Sequence, residues 1–167
     1  MKIIKILPII SALFLASCAK SEMKISRADK SIVTELIEQS PIYITKTNEG
    51  NFDVNENNRI GNTDWVFSIE SNLPIAKLVP DVQRLINKKY ADGMHPDSKK
   101  VYFLYMDSIK NQIAYLPINQ LEFVSEKSEE QNVLSFDKNI STEKFIQEMV
   151  NVTTNDSLQP KIQVYFY

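Results

Sequence analysis

The sequence has little of the chemistry on which many enzyme families depend. Its 167 residues include one cysteine, Cys18, one histidine, His95, and three glycines. A single cysteine excludes a disulfide within the chain, and a single histidine excludes the zinc-binding helix that needs two. Three scattered glycines exclude a glycine-rich phosphate loop. Hydrolysis by a pair of carboxylates, with His95 as the one available imidazole base, is the catalytic alternative that stays open.

The charge balance gives no sign of a nucleic-acid partner. The chain carries 19 lysines and arginines against 21 acidic residues, a formal net charge of −2. Domains that bind nucleic acids usually concentrate basic residues on one face or along one helix. No basic run of that kind stands out in this sequence. We therefore expect no nucleic acid among the partners.

The first seventeen residues have the composition of an export signal. Lys2 and Lys5 give a positive start, and an apolar stretch runs from Ile6 to Leu15. A helix that spans a membrane needs roughly 20 apolar residues, so this stretch is too short for one. A short apolar stretch behind a positive start is typical of a cleaved secretory signal. We therefore expect residues 1–17 to be removed.

A four-residue motif ends this leader, with the sequence Leu15, Ala16, Ser17 and Cys18. It resembles the lipobox of bacterial lipoproteins, in which a branched apolar residue and two small residues precede a cysteine. The resemblance implies cleavage before Cys18, diacylglycerol on its thiol and often a further acyl chain on the new amine. Two or three acyl chains form a stable anchor where one is marginal. The alternative is an ordinary signal peptide with a chance cysteine; it is disfavoured because a lone exported thiol has no intramolecular disulfide partner.

The rest of the chain divides into a short tether and one domain. Residues 18–29 are polar and mixed in charge, which is typical of a tether. Residues 30–167 are enough for a single domain with its own hydrophobic core. Apolar residues at helical spacing predict helices over residues 30–40, from Pro80 to about Gly93, and after Ser141 or Thr142.

Apolar runs between these helices predict a sheet. The predicted strands are residues 41–47, 64–70, 101–106, 112–118, 121–125, 133–136 and 161–167. Strands and helices in this irregular order favour the α+β class. We expect a mainly antiparallel sheet of about five to eight strands with two or three packed helices.

The sharpest local pattern lies at residues 53–64. Oxygen-bearing side chains stand at its first, third and fifth positions, an apolar residue at the eighth and a carboxylate at the twelfth. This spacing resembles the calcium loop of EF-hand and dockerin modules, and calcium takes six to eight oxygen ligands. The resemblance implies a backbone carbonyl ligand from Arg59 and side-chain ligands from Asp53, Asn55, Asn57 and Asp64. A polar loop between two strands is the alternative interpretation.

Together these features predict a lipoprotein of the bacterial cell envelope that binds or assembles without catalysis. Its expected partners are the membrane, through lipid on Cys18, and an envelope protein or glycan. Ala19 follows Cys18, and the absence of aspartate there favours the outer membrane by the enterobacterial sorting rule. Two alternatives stay open: a lipid-anchored hydrolase of envelope polysaccharide or peptide that uses carboxylates, and an immunity or inhibitor lipoprotein.

Overall fold

In a computed structural model, five segments of the chain are described: residues 22–57, 59–92, 100–127, 133–153 and 162–167. Within them the chain forms nine strands and two helices, which confirms the α+β class. The strands are β1 (Arg27–Ala28), β2 (Gln39–Lys46), β3 (Phe52–Asn55), β4 (Asp64–Ile69), β5 (Val101–Asp107), β6 (Gln112–Pro117), β7 (Leu121–Val124), β8 (Val133–Phe136) and β9 (Ile162–Phe166). The helices are α1 (Ile75–Asp92) and α2 (Thr142–Thr153).

Six strands form one mixed sheet in which most neighbours are parallel. Across the sheet the order is β6, β5, β4, β2 and β3. β1 continues the line of β4, because β4 pairs with residues 101–103 of β5 and β1 pairs further along the same strand, at Met106 and Asp107. The pairs β1–β5, β4–β5 and β2–β4 are parallel, whereas β2–β3 and β5–β6 are antiparallel.

The expected mainly antiparallel sheet is therefore wrong, and the connections explain why. A tight turn can join antiparallel strands, but parallel strands need a crossover of a dozen or more residues. α1 is such a crossover between β4 and β5. The two antiparallel pairs are those with short turns, where Gly50 and Asn111 take the positive φ angles of 88° and 50° that glycine and asparagine accept most readily.

A second sheet has three strands, all parallel. β9 lies between β7 and β8, and α2 connects β8 to β9 in the chain. The ring of Phe145, on α2, lies 5.1 Å from that of Phe136 and 5.9 Å from that of Phe166, centroid to centroid. It also lies 6.4 Å from the ring of Phe103 on β5. Phe145 thus joins the small sheet to the large one.

Both helices cover the same face of the large sheet. Phe67 on β4 and Phe103 on β5 point to this face and have no exposed surface, and Leu78, Val82 and Leu85 of α1 are equally buried. Burial of this apolar surface is the main favourable term in folding. α1 begins at Ile75, five residues before the predicted start at Pro80, which lies inside the helix.

Residues 22–38, which we call the N-terminal arm, wrap around the β5–β6 hairpin. After β1, the backbone of the arm meets the Tyr105 hydroxyl, which donates to the Lys30 carbonyl (2.8 Å) and accepts from the Ile32 N–H (3.0 Å). Val33 then exchanges two backbone hydrogen bonds with Tyr115 on β6. The arm thereby crosses from the helix-covered face of the sheet to the outer edge of β6.

The arm next crosses the opposite face of the large sheet. Val33 and Leu36 pack there on a cluster formed by Val66, Tyr102 and Tyr115. The helix predicted over residues 30–40 is therefore wrong: residues 31–38 contain no helix, and Ile37 is 99 % exposed. A helix this short is marginal on its own, whereas the extended arm gains contacts with two strands.

Candidate functional site

The predicted lipid attachment site lies just before the described part of the chain. Cys18 is outside the described residues, and so is His95. The first described residue is Glu22, four residues after Cys18. A chain of four residues spans at most about 14 Å. Lipidation of Cys18 stays a prediction, but any lipid there would hold the start of the N-terminal arm close to the membrane.

The arm borders a groove of about 610 Å³ at the end of the large sheet. Its lining comes from four separate parts of the chain: the arm, the end of β5, the turn after β4 and the first turn of α2. The lining residues are Met23, Lys24, Ile25, Arg27, Ser71, Met106 and Glu143. Backbone hydrogen bonds from the Ser71 N–H to the Lys24 carbonyl and from the Glu143 N–H to the Ser71 carbonyl, both 2.9 Å, fix three of these parts together.

The groove combines basic and apolar groups. Lys24 and Arg27 are exposed, so both bring a positive charge to its mouth, while Met23, Ile25 and Met106 are half-buried beside them. Glu143 is the one carboxylate among the described lining residues. Glycoside hydrolysis by carboxylates needs a facing pair. Because its lining combines basic and apolar side chains, the groove is suited to binding a group that is both anionic and apolar.

The predicted calcium loop is divided among several local structures. Asp53 and Asn55 belong to β3, a strand that sequence analysis assigned to a loop. The Asn55 side-chain oxygen accepts from the Asn57 N–H (3.1 Å), and the Asp64 carboxylate accepts from the Lys100 N–H (2.7 Å). Among the described residues no cluster of three or more His, Cys, Asp or Glu side chains occurs. Calcium binding stays a prediction, which a calcium-dependent rise in melting temperature would support.

A buried lysine organises the second half of this loop. The Lys89 ammonium, on α1, donates to the carbonyls of Gly61 (2.7 Å) and Thr63 (2.6 Å) and lies 5.2 Å from the centroid of the Trp65 ring. The Trp65 indole N–H donates to the Ile60 carbonyl (3.0 Å). Two loop carbonyls thus already bind a cation that belongs to the chain, and that cation is desolvated over an aromatic ring.

Glu56 connects the same loop to α1. Its carboxylate accepts hydrogen bonds from the guanidinium groups of Arg84 and Arg59. The Arg84 hydrogen bond is the main reason that the pKa of Glu56 lies below its usual value. Arg59 also lies over the Trp65 ring, 5.6 Å from its centroid. The side chain of the predicted ligand Arg59 is therefore held by a carboxylate and an aromatic ring.

A third polar cluster fastens the N-terminal arm. The Ser31 hydroxyl donates to the Asp107 carboxylate, which also accepts from the N–H groups of Ile109 (3.0 Å) and Lys110 (3.1 Å). These bonds, the one from Ser31 first, lower the pKa of Asp107. Burial raises the pKa of Tyr105 to about 12, so its hydroxyl stays protonated and can donate to the arm. A tyrosine at a core-facing strand position was the available signal, since a buried hydroxyl needs a partner.

No protein family, no curated protein and no solved structure matches the chain. Within the described segments, neither helix is both long enough and apolar enough to cross a membrane.

Proposed function

We propose that this chain is a lipoprotein of the bacterial outer membrane. Its domain acts there as a non-catalytic binding module at the membrane surface. The observation that carries the proposal is the lipobox resemblance at Leu15, Ala16, Ser17 and Cys18. The N-terminal arm supports it, because the domain begins so soon after this motif. Its expected partner beyond the membrane is an envelope protein or glycan.

The position of the arm favours action close to the lipid. Lys24 and Ile25 already contact the end of the large sheet, through the bond between the Lys24 carbonyl and Ser71 and the bridge between Ile25 and Glu70. Only the short stretch from Cys18 to about Met23 is therefore available as a linker, roughly 17 Å when fully extended. A longer flexible linker would let a domain move far from its anchor. This one would keep the domain against the headgroups.

The decisive variant for the anchor is Cys18→Ser. We expect it to release the protein from membranes or to leave the leader uncut, because serine cannot carry the thioether-linked lipid. Ser17→Ala is the matched control, since it keeps a small residue before the cysteine and should leave processing unchanged. Membrane fractionation with mass spectrometry of the N-terminal peptide measures both. A Cys18→Ser protein that is cut and membrane-bound like the wild type would refute the proposal.

The binding role needs a separate experiment. Proximity labelling from the wild-type lipoprotein in intact cells should enrich a reproducible envelope protein, or a glycan should protect the domain in a binding assay. The Cys18→Ser protein supplies the control, because it presents the same domain without lipid at residue 18. Recovery of the same set of molecules with both proteins would contradict a binding role that depends on the anchor.

A further inference from the structure

We propose that the groove bordered by the N-terminal arm binds the headgroup region of an anionic phospholipid in the membrane that holds the anchor. The inference rests on the proposed lipidation of Cys18 and adds a second, non-covalent membrane contact with a defined orientation. The residues that face the lipid are Lys24 and Arg27 for its phosphate and Met23, Ile25 and Met106 for its apolar part.

The charge distribution along the chain points to an anionic partner at this end. The whole chain has a formal charge of −2. Residues 18–30 have the opposite balance, with four basic residues, Lys20, Lys24, Arg27 and Lys30, against the two acidic residues Glu22 and Asp29. Basic residues next to a membrane anchor are attracted to anionic lipid headgroups. An otherwise acidic protein therefore presents its positive segment to the membrane.

The short stretch of chain between Cys18 and the groove limits how far the groove can lie from that membrane. Met23, on the groove wall, is five residues from Cys18, so it lies no more than roughly 17 Å from the lipidated atom. Screening at physiological ionic strength weakens charge attraction beyond about 8 Å. A tether of up to roughly 17 Å lets Lys24 and Arg27 come within this 8 Å of the headgroups, where their attraction to anionic lipid would hold them.

The combination of basic and apolar residues in the groove fits a lipid better than a small anion alone. Arg27 and Met106 are paired in the parallel ladder of β1 and β5, so their side chains stand beside one another on one face of the sheet. The cation can bind the phosphate of a lipid, while the half-buried methionine beside it contacts the glycerol backbone and acyl chain. Glu143, which also lines the groove, would disfavour a second phosphate.

The test measures how fast the Lys24 amine reacts with a water-soluble acylating reagent. The full-length lipoprotein is reconstituted in vesicles of phosphatidylcholine, with or without phosphatidylglycerol. Lys88, which is exposed near the C-terminal end of α1, is the internal reference. We expect phosphatidylglycerol to slow labelling of Lys24 about three- to fivefold relative to Lys88, and added salt to reduce the difference.

A matched pair of variants separates the groove from general attraction. Arg27→Gln removes a charge from the groove, and Lys30→Gln removes one from the same arm outside it. We expect Arg27→Gln to abolish most of the protection and Lys30→Gln to abolish little. Equal loss in both variants, or equal labelling in both kinds of vesicle, would overturn the groove as a lipid site. Protection by inorganic phosphate in phosphatidylcholine vesicles would overturn it in favour of a free anion.

The same samples keep this inference distinct from the proposed function. Mass spectrometry of the N-terminal peptide reports whether acyl chains are present on Cys18. Their absence would contradict the proposed function and, with it, this orientation on the membrane. A protein that carries the acyl chains but shows no effect of phosphatidylglycerol would contradict the groove alone.

Discussion

The two faces of the large sheet are covered by different kinds of structure. On one face the two helices bury Phe67, Phe103 and Phe145 completely. On the other, the N-terminal arm covers a small cluster and leaves Tyr43 40 % and Ile113 39 % exposed. The helix-covered face is a continuous core, whereas the arm-covered face is held by a few side chains and hydrogen bonds. Stability should therefore come mainly from the first face, and local opening should begin at the second.

The largest effect should follow a change in the helix-covered core. Phe145→Ala removes a ring that contacts three other phenylalanines and should lower the free energy of unfolding by about 3–5 kcal/mol. Denaturant unfolding of the purified protein measures the loss. Val152→Ala, on the same helix but 40 % exposed, is the control and should cost far less. Similar losses for both would contradict the assignment of Phe145 to the core.

Tyr105→Phe tests the attachment of the arm without changing the apolar core. It removes the hydroxyl bonded to the Lys30 carbonyl and the Ile32 N–H, and we expect a loss of about 1–3 kcal/mol. Amide hydrogen exchange at residues 30–33 should become faster than in the wild type. Tyr43→Phe, at a half-exposed position, is the control. Unchanged exchange at residues 30–33 would show that Tyr105 does not hold the arm.

Leu36→Ala should show how little the arm-covered face contributes. Leu36 is only partly buried, so we expect a loss of about 1 kcal/mol, near the value of one buried methylene group. Ile37→Ala is a close control in the same segment, because Ile37 is 99 % exposed and should contribute almost nothing. A loss for Leu36→Ala as large as that for Phe145→Ala would abolish the distinction between the two faces.

The same contrast separates what could be predicted from the sequence from what could not. Val82 and Leu85 of α1, and Phe145 of α2, lie in segments whose apolar spacing and burial agree. The arm has similar spacing, but its partners Tyr105 and Tyr115 lie more than 70 residues away. The sequence of the arm itself contains no sign of these partners. Helical spacing alone therefore led to a wrong helix, and strand direction depended on connections that periodicity does not encode.

The candidate sites show the same limit. The twelve-residue spacing at residues 53–64 is local, so it can be recognised from the sequence. The Lys89 ammonium that binds two carbonyls of this loop comes from a distant helix. The groove was not predicted at all, because its lining is drawn from the arm, a turn, a strand end and a helix start. Only the resemblance of residues 15–18 to a lipobox needs no tertiary structure to be recognised, because four consecutive residues carry it.

The smallest predicted effect is the change in stability with pH that the attachment of the arm causes. Asp107 has a lowered pKa in the folded protein, with Ser31 as the first cause. A carboxylate of this kind stabilises the fold above its unfolded pKa of about 3.9, and that contribution is lost as pH falls through the lower folded value. Ser31→Ala removes the largest cause, so the folded pKa should rise towards the unfolded one.

Between neutral pH and about pH 4 the wild type should therefore keep a small stability advantage over Ser31→Ala, and the two should converge once Asp107 is protonated in both. Thermal unfolding from neutral to acidic pH, together with hydrogen exchange at residues 28–33, measures this. Ser108→Ala is the control, since Ser108 is exposed beside Asp107. A Ser31→Ala profile parallel to the wild type at every pH would assign Ser31 a packing role only. The arm would then depend on Tyr105 and backbone pairing, and its attachment would be insensitive to acid.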